Sequence, residues 1–373
     1  MFAPLIEESK GFKNLKKLII DSNLCSFCGS CGIMCENINY EDIPFLTENK
    51  PCIITNGAQI CGIQGCCFDN CPMTSFSKKD YERVFFGKTN SDPDLGSYRK
   101  ILSGRSTSKE ILNKAQNGGT VTSLLTYALS ADLNGSKYAG AIVTKGGDGW
   151  QPKPCFVSRP EELYHCMGSI YSCHPLSRQI RNLLREKLNL IFVGTGCQTT
   201  GIRKYQYNFL RKVPPETTRI FLIGLFCYEN FAYHQFINVL QEKSKMAIEN
   251  ISKMDIIKGK LIIYSKNGSV LQYPIKEFSP LVSEACKICT NFTAELTDIS
   301  VGAIGSKEGW NTIIIRTEEG LELIERLESK SILETTTKVS LEEIKKTVNR
   351  KRILSEKIKE KRRTNAQYVP NFD

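Results

Sequence analysis

Apolar residues recur with the periods of regular structure from about residue 115 onward, and lack such periods between residues 18 and 80. Thr120 to Leu129 places Val121, Leu124, Leu125, Ala128 and Leu129 at helical spacing, directly after Asn117-Gly118-Gly119. A Gly-Gly turn that opens a helix offers free backbone N–H groups and a positive dipole end. Ala139 to Thr144 and Leu190 to Gly194 read as buried strands, with Pro175 to Glu186 as the helix between them. Arg219 to Cys227 is a further apolar strand and Ala232 to Gln241 a further helix. Leu261 to Ser265 and Ser269 to Ile275 form a hairpin that turns at Asn267-Gly268. Ile299 to Gly302 and Thr312 to Arg316 are additional strands. Strands alternating with helices predict an α/β arrangement, α+β over the whole chain. Two parallel strands ending near Cys197 and Cys227 would bring both thiols to the carboxyl edge of one sheet, where open α/β sheets bind ligands.

These patterns divide the chain. Residues 1–17 lead in, 18–80 form a loop-dominated module, and 81–180 and 181–340 are two parts of a larger body. Residues 341–373 are a basic helical tail. Residues 81–110 read as a connector, with Asn90-Ser91-Asp92-Pro93-Asp94 as a turn cluster.

The 373 residues are 41% apolar, enough for a core, so wholesale disorder is excluded. No run of about 18 apolar residues predicts a membrane-spanning helix. Met1 to Lys10 lacks the charged and apolar regions of a secretory signal. Three histidines leave little room for His-based zinc or general-base chemistry. Sixteen cysteines in a chain expected in the reducing cytoplasm point away from disulfides and toward thiolate ligands of a metal group. Fifty Lys and Arg against thirty-nine Asp and Glu leave a net charge of +11, too moderate to make a nucleic-acid binder by itself. Leu341 to Arg363 carries ten Lys and Arg against four Glu, with Leu341, Ile344, Val348 and Ile358 as a thin apolar stripe. That tail is either a helix packed by its stripe or a dock for an acidic partner. Without interleaved aromatics it does not read as a nucleic-acid surface.

Nine cysteines fall between Cys25 and Cys71. Cys25, Cys28, Cys31 and Cys35 have the C-x2-C-x2-C-x3-C spacing of a bacterial ferredoxin loop around a [4Fe–4S] cube. Cys61, Cys66, Cys67 and Cys71 followed by Pro72 make a second run, irregular because Gln64 stands where a cysteine is expected. In ferredoxins the fourth cysteine of each run ligates the other cluster. Cys25, Cys28, Cys31 and Cys71 would then hold one cube. Cys35, Cys61, Cys67 and either Cys66 or Cys52 would hold the second, unless that half is degenerate and its thiols merely pack. Cys155, Cys166 and Cys173 lack ligand spacing and read as small buried hydrophobes. Cys197, Cys227 and the Cys286-x2-Cys289 knuckle are a candidate third site. Gly194-x-Gly196-x4-Gly201 is not a Rossmann fingerprint, and no Walker A motif is present.

Several strings occur together and in order. They are Gln116-Asn117-Gly118-Gly119-Thr120-Val121-Thr122-Ser123, Gly168-Ser169-Ile170-Tyr171, and Phe192-Val193-Gly194-Thr195-Gly196-Cys197-Gln198 through Gly201-Ile202-Arg203. Ile223-Gly224-Leu225-Phe226-Cys227 follows, then Cys286-Lys287-Ile288-Cys289 through Thr297-Asp298-Ile299-Ser300-Val301-Gly302, then Gly305-Ser306-Lys307-Glu308-Gly309-Trp310. Over roughly residues 95–335 the chain resembles the coenzyme F420 hydrogenase/dehydrogenase beta-subunit family. With its N-terminal ferredoxin-like module it resembles that family's F420H2-oxidising subunits. The resemblance implies a catalytic domain with a mixed sheet, FAD, coenzyme F420 as substrate and a [4Fe–4S] cluster on Cys197, Cys227, Cys286 and Cys289. Three clusters are then expected in the whole chain. Asn117, Gly118, Gly119, Thr120, Thr122, Ser169, Tyr171, Thr195 and Gln198 become candidate flavin contacts, and Arg203 and Lys307 candidates for the acidic tail of F420. Hydride transfer between these cofactors needs no side-chain acid or base, so no catalytic residue is expected. The expected partner is a redox protein or a larger electron-transfer complex, reached in the cytoplasm or peripherally at a membrane. The alternatives are an electron-transfer subunit that no longer accepts F420, and a family branch that reduces another substrate.

Overall fold

Strands that are apolar on both faces must be covered on both, and this requirement organises the chain. The computed structural model describes residues 11–41, 44–46, 66–87, 92–130, 137–186, 188–210 and 219–372. Cys52, Cys61 and Gln64 lie outside the described residues. In chain order the elements are β1 (Ile38–Tyr40), β2 (Pro44–Leu46), α1 (Lys78–Phe86), β3 (Lys100–Ser106), α2 (Thr120–Leu129), β4 (Gly140–Gly146), β5 (Pro152–Val157), β6 (Asn189–Thr195), α3 (Gly196–Leu210) and β7 (Arg219–Leu225). They continue with α4 (Tyr233–Ser244), β8 (Ile251–Ile257), β9 (Lys260–Ser265), β10 (Val270–Pro274), α5 (Glu284–Ile288), β11 (Ile299–Gly302), β12 (Asn311–Ile315), α6 (Glu318–Ser329), β13 (Leu333–Thr336) and α7 (Leu341–Thr364).

Eight strands make one mixed sheet, ordered β13-β3-β12-β11-β7-β6-β4-β5. Its centre, β4, β6, β7 and β11, is parallel, and the flanking pairs are antiparallel. Leu190 to Val193 and Ile220 to Ile223 are buried without alternation, as a doubly covered sheet requires. One face, with Ile191, Val193, Phe221 and Ile223, packs on α2 and α6. The other, with Phe192, Ile220 and Leu222, packs on Leu176, Ile180, Ile202 and Tyr205. β8, β9 and β10 form a separate antiparallel sheet over α4, with the predicted hairpin as β9 and β10. The connector expected over 81–110 instead supplies β3, a strand inside the main sheet. The helix expected over Pro175 to Glu186 is three short turns, Leu176–Gln179, Ile180–Leu183 and Leu184–Glu186.

The cysteine-rich module is seated on the second face of the sheet. Ile33 joins the cluster of Leu176, Ile180, Phe192 and Ile202. Ser177 N–H donates to the Cys28 carbonyl at 3.0 Å. Gly29, at φ +87°, lies so close to Pro175 that a Cβ would stand 2.6–2.9 Å from its backbone atoms. A Cβ on Gly201 of α3 would overlap the Ser30 side chain. Gly29→Ala is therefore expected to cost about 2–4 kcal/mol, from left-handed strain plus backbone displacement. A thermal melt checks this, and an unchanged Tm would show that the module does not rest on this contact.

The basic tail is part of the body. α7 buries Ile344 and Val348 against Leu95 and Phe292, while Ile358 packs on the module core with Phe12, Leu15 and Ile19. Leu341 is 38% exposed and does not belong to the seam. Several charges expected to face solvent or a partner are engaged internally. Lys345 pairs with Asp92 at 2.7 Å, Arg352 with Asp94 at 2.9 Å, and Arg362 donates to the Ser22 and Tyr368 carbonyls. Among the described residues no helix is long and apolar enough to cross a membrane.

Candidate functional site

β6 and β7 run parallel and in register, Val193 beside Ile223 and Thr195 beside Leu225. Cys197 stands in the first turn of α3, and Cys227 two residues past β7, both at the carboxyl edge. Cys227 N–H donates to the Phe292 carbonyl at 2.9 Å, which draws the segment after Cys289 onto the same edge. α5 carries Cys286, and Cys289 follows its last residue. Cys197, Cys227, Cys286 and Cys289 all act electrostatically on one buried cation, Lys351 of α7. The candidate set from sequence is thus brought together around a charge from the far end of the chain.

Sequence reasoning missed two members of this neighbourhood. Cys173, read as a small hydrophobe, is a neighbour of Cys286, Cys197 and Cys227. Backbone bridges of Ser172 to Phe231 and of Phe231 to Val282 hold it there. Its only sequence signal is the adjacent family string. Lys351 has no signal beyond its place in a basic run. Its Nζ donates to the carbonyls of Cys227, at 2.9 Å, and Tyr228. Burial alone would depress this ammonium, but the four thiols outweigh it and hold Lys351 above the ordinary lysine value.

Cys25, Cys28, Cys31 and Cys71 form the second gathering, the set that the crossed ferredoxin pattern predicts. Cys31 senses Cys25, Cys28 and Cys71, and Cys71 senses Cys28 and Cys25. Tyr40 OH lies 3.0 Å from Cys31 Sγ and donates to the Gly29 carbonyl. Lys204 of α3 donates to the Cys71 carbonyl at 2.8 Å and to Thr74 Oγ1 at 2.6 Å. Burial lowers Lys204 to about 8. Cys35 and Cys67 pack in the same core, and Cys66 is buried beside it. The two gatherings lie near each other, since Cys28 is the strongest charged neighbour of Cys197.

Burial pushes the Cys25 and Cys286 thiols up to about 12. Buried thiols in such numbers become thiolates only if a bound cation offsets their charge. Among the described residues no three His, Cys, Asp or Glu side chains converge as ligands of a single ion. A cube asks for a wider arrangement, since each thiolate takes a different iron. Five buried side-chain atoms among the described residues lack a partner. Three of them, Ser26 Oγ, His174 Nδ1 and Tyr228 OH, sit on residues adjacent to Cys25, Cys173 and Cys227. All-thiolate donor sets and orphaned polar atoms beside them fit iron–sulfur groups. A cavity of about 630 Å3, lined by Cys197, Cys289, Met73, Phe76 and Arg352 among others, opens beside the first set. Its size is that of ordinary small-molecule sites.

The candidate flavin contacts assemble differently. Gln116 Nε2 donates to the Met254 carbonyl, and its Oε1 accepts from Ser169 N–H. Asn117 clamps the 309–310 loop, donating to the Trp310 carbonyl and accepting from Gly309 N–H at 2.8 Å. Thr120 Oγ1 donates to the Gly104 carbonyl, and a Cβ on Gly118 would meet Asn311 and Gly104. Gly119 caps α2 at φ +70°. Tyr171 is held by Ser169 and the Ile256 backbone. Gln198 ties Thr195 to the His174 carbonyl. These residues brace one another's loops, so their side chains do not by themselves make a flavin fit. Thr122 is half-buried, and Lys307 is exposed with its Nζ 4.5 Å from the Trp310 ring centroid. Arg203, 4% exposed, donates to the Leu296 carbonyl, Gln206 and Asp298. Its guanidinium is an internal clamp. Cys155 and Cys166 are electrostatic neighbours, and their thiols donate to the Phe156 and Glu162 carbonyls.

Residues 101–181 match the N-terminal part, and residues 188–340 the C-terminal part, of the family described as the beta subunit of coenzyme F420 hydrogenase/dehydrogenase. The beta subunit of coenzyme F420 hydrogenase from Methanosarcina barkeri is 36% identical over 282 residues, covering 73% of this chain and 93% of that one. A coenzyme F420-dependent sulfite reductase from Methanocaldococcus jannaschii is 34% identical over 94% of this chain, which spans about half (52%) of that longer relative. A chain in the solved F420-reducing [NiFe] hydrogenase complex from Methanosarcina barkeri superposes with a TM-score of 0.68 at 33% identity, over 74% of this chain and 96% of the matched one. The mixed sheet, the thiols at its carboxyl edge and these likenesses agree, and the chain belongs to the coenzyme F420 hydrogenase/dehydrogenase beta-subunit family, a family of F420-dependent oxidoreductases.

Proposed function

We propose that the protein oxidises reduced coenzyme F420 through a bound FAD and delivers electrons singly, by way of [4Fe–4S] groups, to a redox partner protein; the same apparatus runs in reverse. When bound, the flavin supplies the conversion between hydride and single electrons. The chain's own part is to hold and insulate. Cys197, Cys227, Cys286 and Cys289 hold one group at the sheet edge. Cys25, Cys28, Cys31 and Cys71 hold a second, and Cys35, Cys61, Cys66 and Cys67 a third. The observation that carries the reading is that the two described gatherings lie within electrostatic reach of each other, Cys28 acting on Cys197. Electrons at one need no mobile carrier to reach the other. The burial of Arg203 favours the second reading, an electron-transfer subunit without F420, since one of two cations suited to the coenzyme's acidic tail is engaged internally.

Anaerobic purification should yield about twelve iron atoms per chain, four for each of three cubes, together with flavin. F420H2 should then reduce a viologen dye. Cys289→Ser should remove one iron–sulfur EPR signal and slow dye reduction while the ferredoxin-type signals persist, because serine oxygen holds iron poorly. Full cofactor content without F420H2 oxidation would reject the main reading and leave the electron-transfer subunit and the branch that reduces another substrate. Iron near eight per chain would remove the irregular second ferredoxin half, and iron near four would reject the ferredoxin module altogether.

A further inference from the structure

Two buried lysines stand in the same relation to the two thiol gatherings. Lys351 is 5% exposed and bonds the Cys227 and Tyr228 carbonyls; Lys204 is 2% exposed and bonds the Cys71 and Thr74 carbonyls and Thr74 Oγ1. Among the described residues neither makes a salt bridge to a carboxylate. Burying an ammonium without a counter-charge is expensive, and such charges in proteins are paired or serve a bound group. The strongest anionic neighbours of Lys351 are the thiols of Cys289, Cys227, Cys286 and Cys197, with the Glu229 carboxyl also within its electrostatic reach but not in a salt bridge. Those of Lys204 are Cys71, Asp69 and Cys28. Each lysine comes from an element outside the cysteine segment whose carbonyl it bonds. α3 carries Lys204 to the module, and α7 carries Lys351 to the sheet edge.

We propose that Lys351 and Lys204 are positioning cations of two iron–sulfur groups, each fixing one positive charge beside its own thiol set and so raising that group's reduction potential. The inference rests on the function proposed above. One-electron reduction adds one negative charge to a four-thiolate group, with the electron supplied by the reduced coenzyme and no proton or ligand exchanged. A fixed ammonium in a poorly solvated surrounding therefore favours the reduced form over the oxidised one. Lys351 depends on α7 for its place, held by the buried Ile344 and Val348 and by Ser355 Oγ donating to the Ile288 carbonyl at 2.7 Å. The tail thereby tunes the site at the sheet edge.

The test uses the full chain, prepared anaerobically, with iron per chain and EPR-monitored redox titration as readouts. Lys351→Gln keeps a donor for the two carbonyls and loses the charge; Lys351→Arg keeps the charge. The glutamine variant should lower the midpoint of the signal that Cys289→Ser removes, by at least tenfold in the reduction equilibrium, or 59 mV for one electron. The arginine variant should stay near wild type. Lys204→Gln should lower a ferredoxin-type signal more than the Cys289-dependent one. Iron lost in Lys351→Gln but kept in Lys351→Arg would support the proposal, since charge would then be needed to hold the group. A wild-type midpoint in the glutamine variant, or equal falls or equal iron loss in both variants, would reduce Lys351 to a backbone brace. Wild-type protein with no Cys289-dependent iron would instead sink the proposed function.

Discussion

Deleting residues 341–373 is expected to leave no stably folded protein. Ile344 and Val348 are fully buried, and burying such side chains stabilises by about 1.5–3 kcal/mol each. The deletion also removes the Arg352 bond to Asp94, the Ser355 bond to Ile288 and the Arg362 bonds to Ser22 and Tyr368. It exposes Leu95 and Phe292 on the body and part of the Phe12, Leu15 and Ile19 core on the module. Together these losses are comparable to the entire stability of an ordinary domain, about 5–15 kcal/mol. Yield of soluble chain, far-UV circular dichroism and limited proteolysis would read the outcome. A tail that served only to steer an acidic partner would leave a truncated protein that melts with the full chain. That result would end the packing account.

The tail shows what the sequence could and could not carry. Ile344 and Val348 are legible as a stripe, because helical spacing is a local property. The burial of Lys351 and Arg362 is not. Their partners are backbone carbonyls at 227, 228, 22 and 368, and no local pattern announces a carbonyl that arrives from elsewhere in the chain. The same asymmetry runs through the fold. β6, β7 and α2 are uniform or periodic apolar runs, and their predicted ends fall within two residues of the observed ones. β3, Lys-Ile-Leu-Ser-Gly-Arg-Ser, mixes charge and glycine, and it is a strand because β12 and β13 pair with it on both sides. At the candidate site, cysteine spacing points to both described thiol gatherings, since ligands need a particular residue type. Asn117, Thr120, Gln198 and Arg203 belong to the family strings for another reason. Their side chains are bonded within the protein, and a string alone does not separate a residue that braces a loop from one that touches a ligand.

Replacing Arg316 by Met should destabilise the protein by about 3–5 kcal/mol, the cost of breaking a buried charged network by removing one partner. Arg316 is 1% exposed and follows β12. Its guanidinium donates to the Leu95 and Ser97 carbonyls at 2.7 and 2.8 Å, to Ser300 Oγ at 3.1 Å and to Thr293 at 3.4 Å. Burial lowers it to about 10 while Glu295 and Glu82 act to raise it, so its charge is retained at neutral pH. One side chain thus ties the turn before β3 to the segment that joins Cys289 to β11. Methionine fills similar volume but leaves several carbonyls without a donor, and it strips the nearby Glu82 and Glu295 of a counter-charge. The expected fall in Tm is on the order of 10 °C. Arg316→Lys keeps the charge but not the planar fork, so it should recover only part of the loss. Because the 293–300 segment leads directly from the Cys286–Cys289 knuckle, the methionine variant should also lose the Cys289-dependent iron before the ferredoxin-type iron on mild heating. A methionine variant that melts with wild type would mean that water or a shifted loop replaces all of these bonds, and Arg316 would not be a keystone of the site.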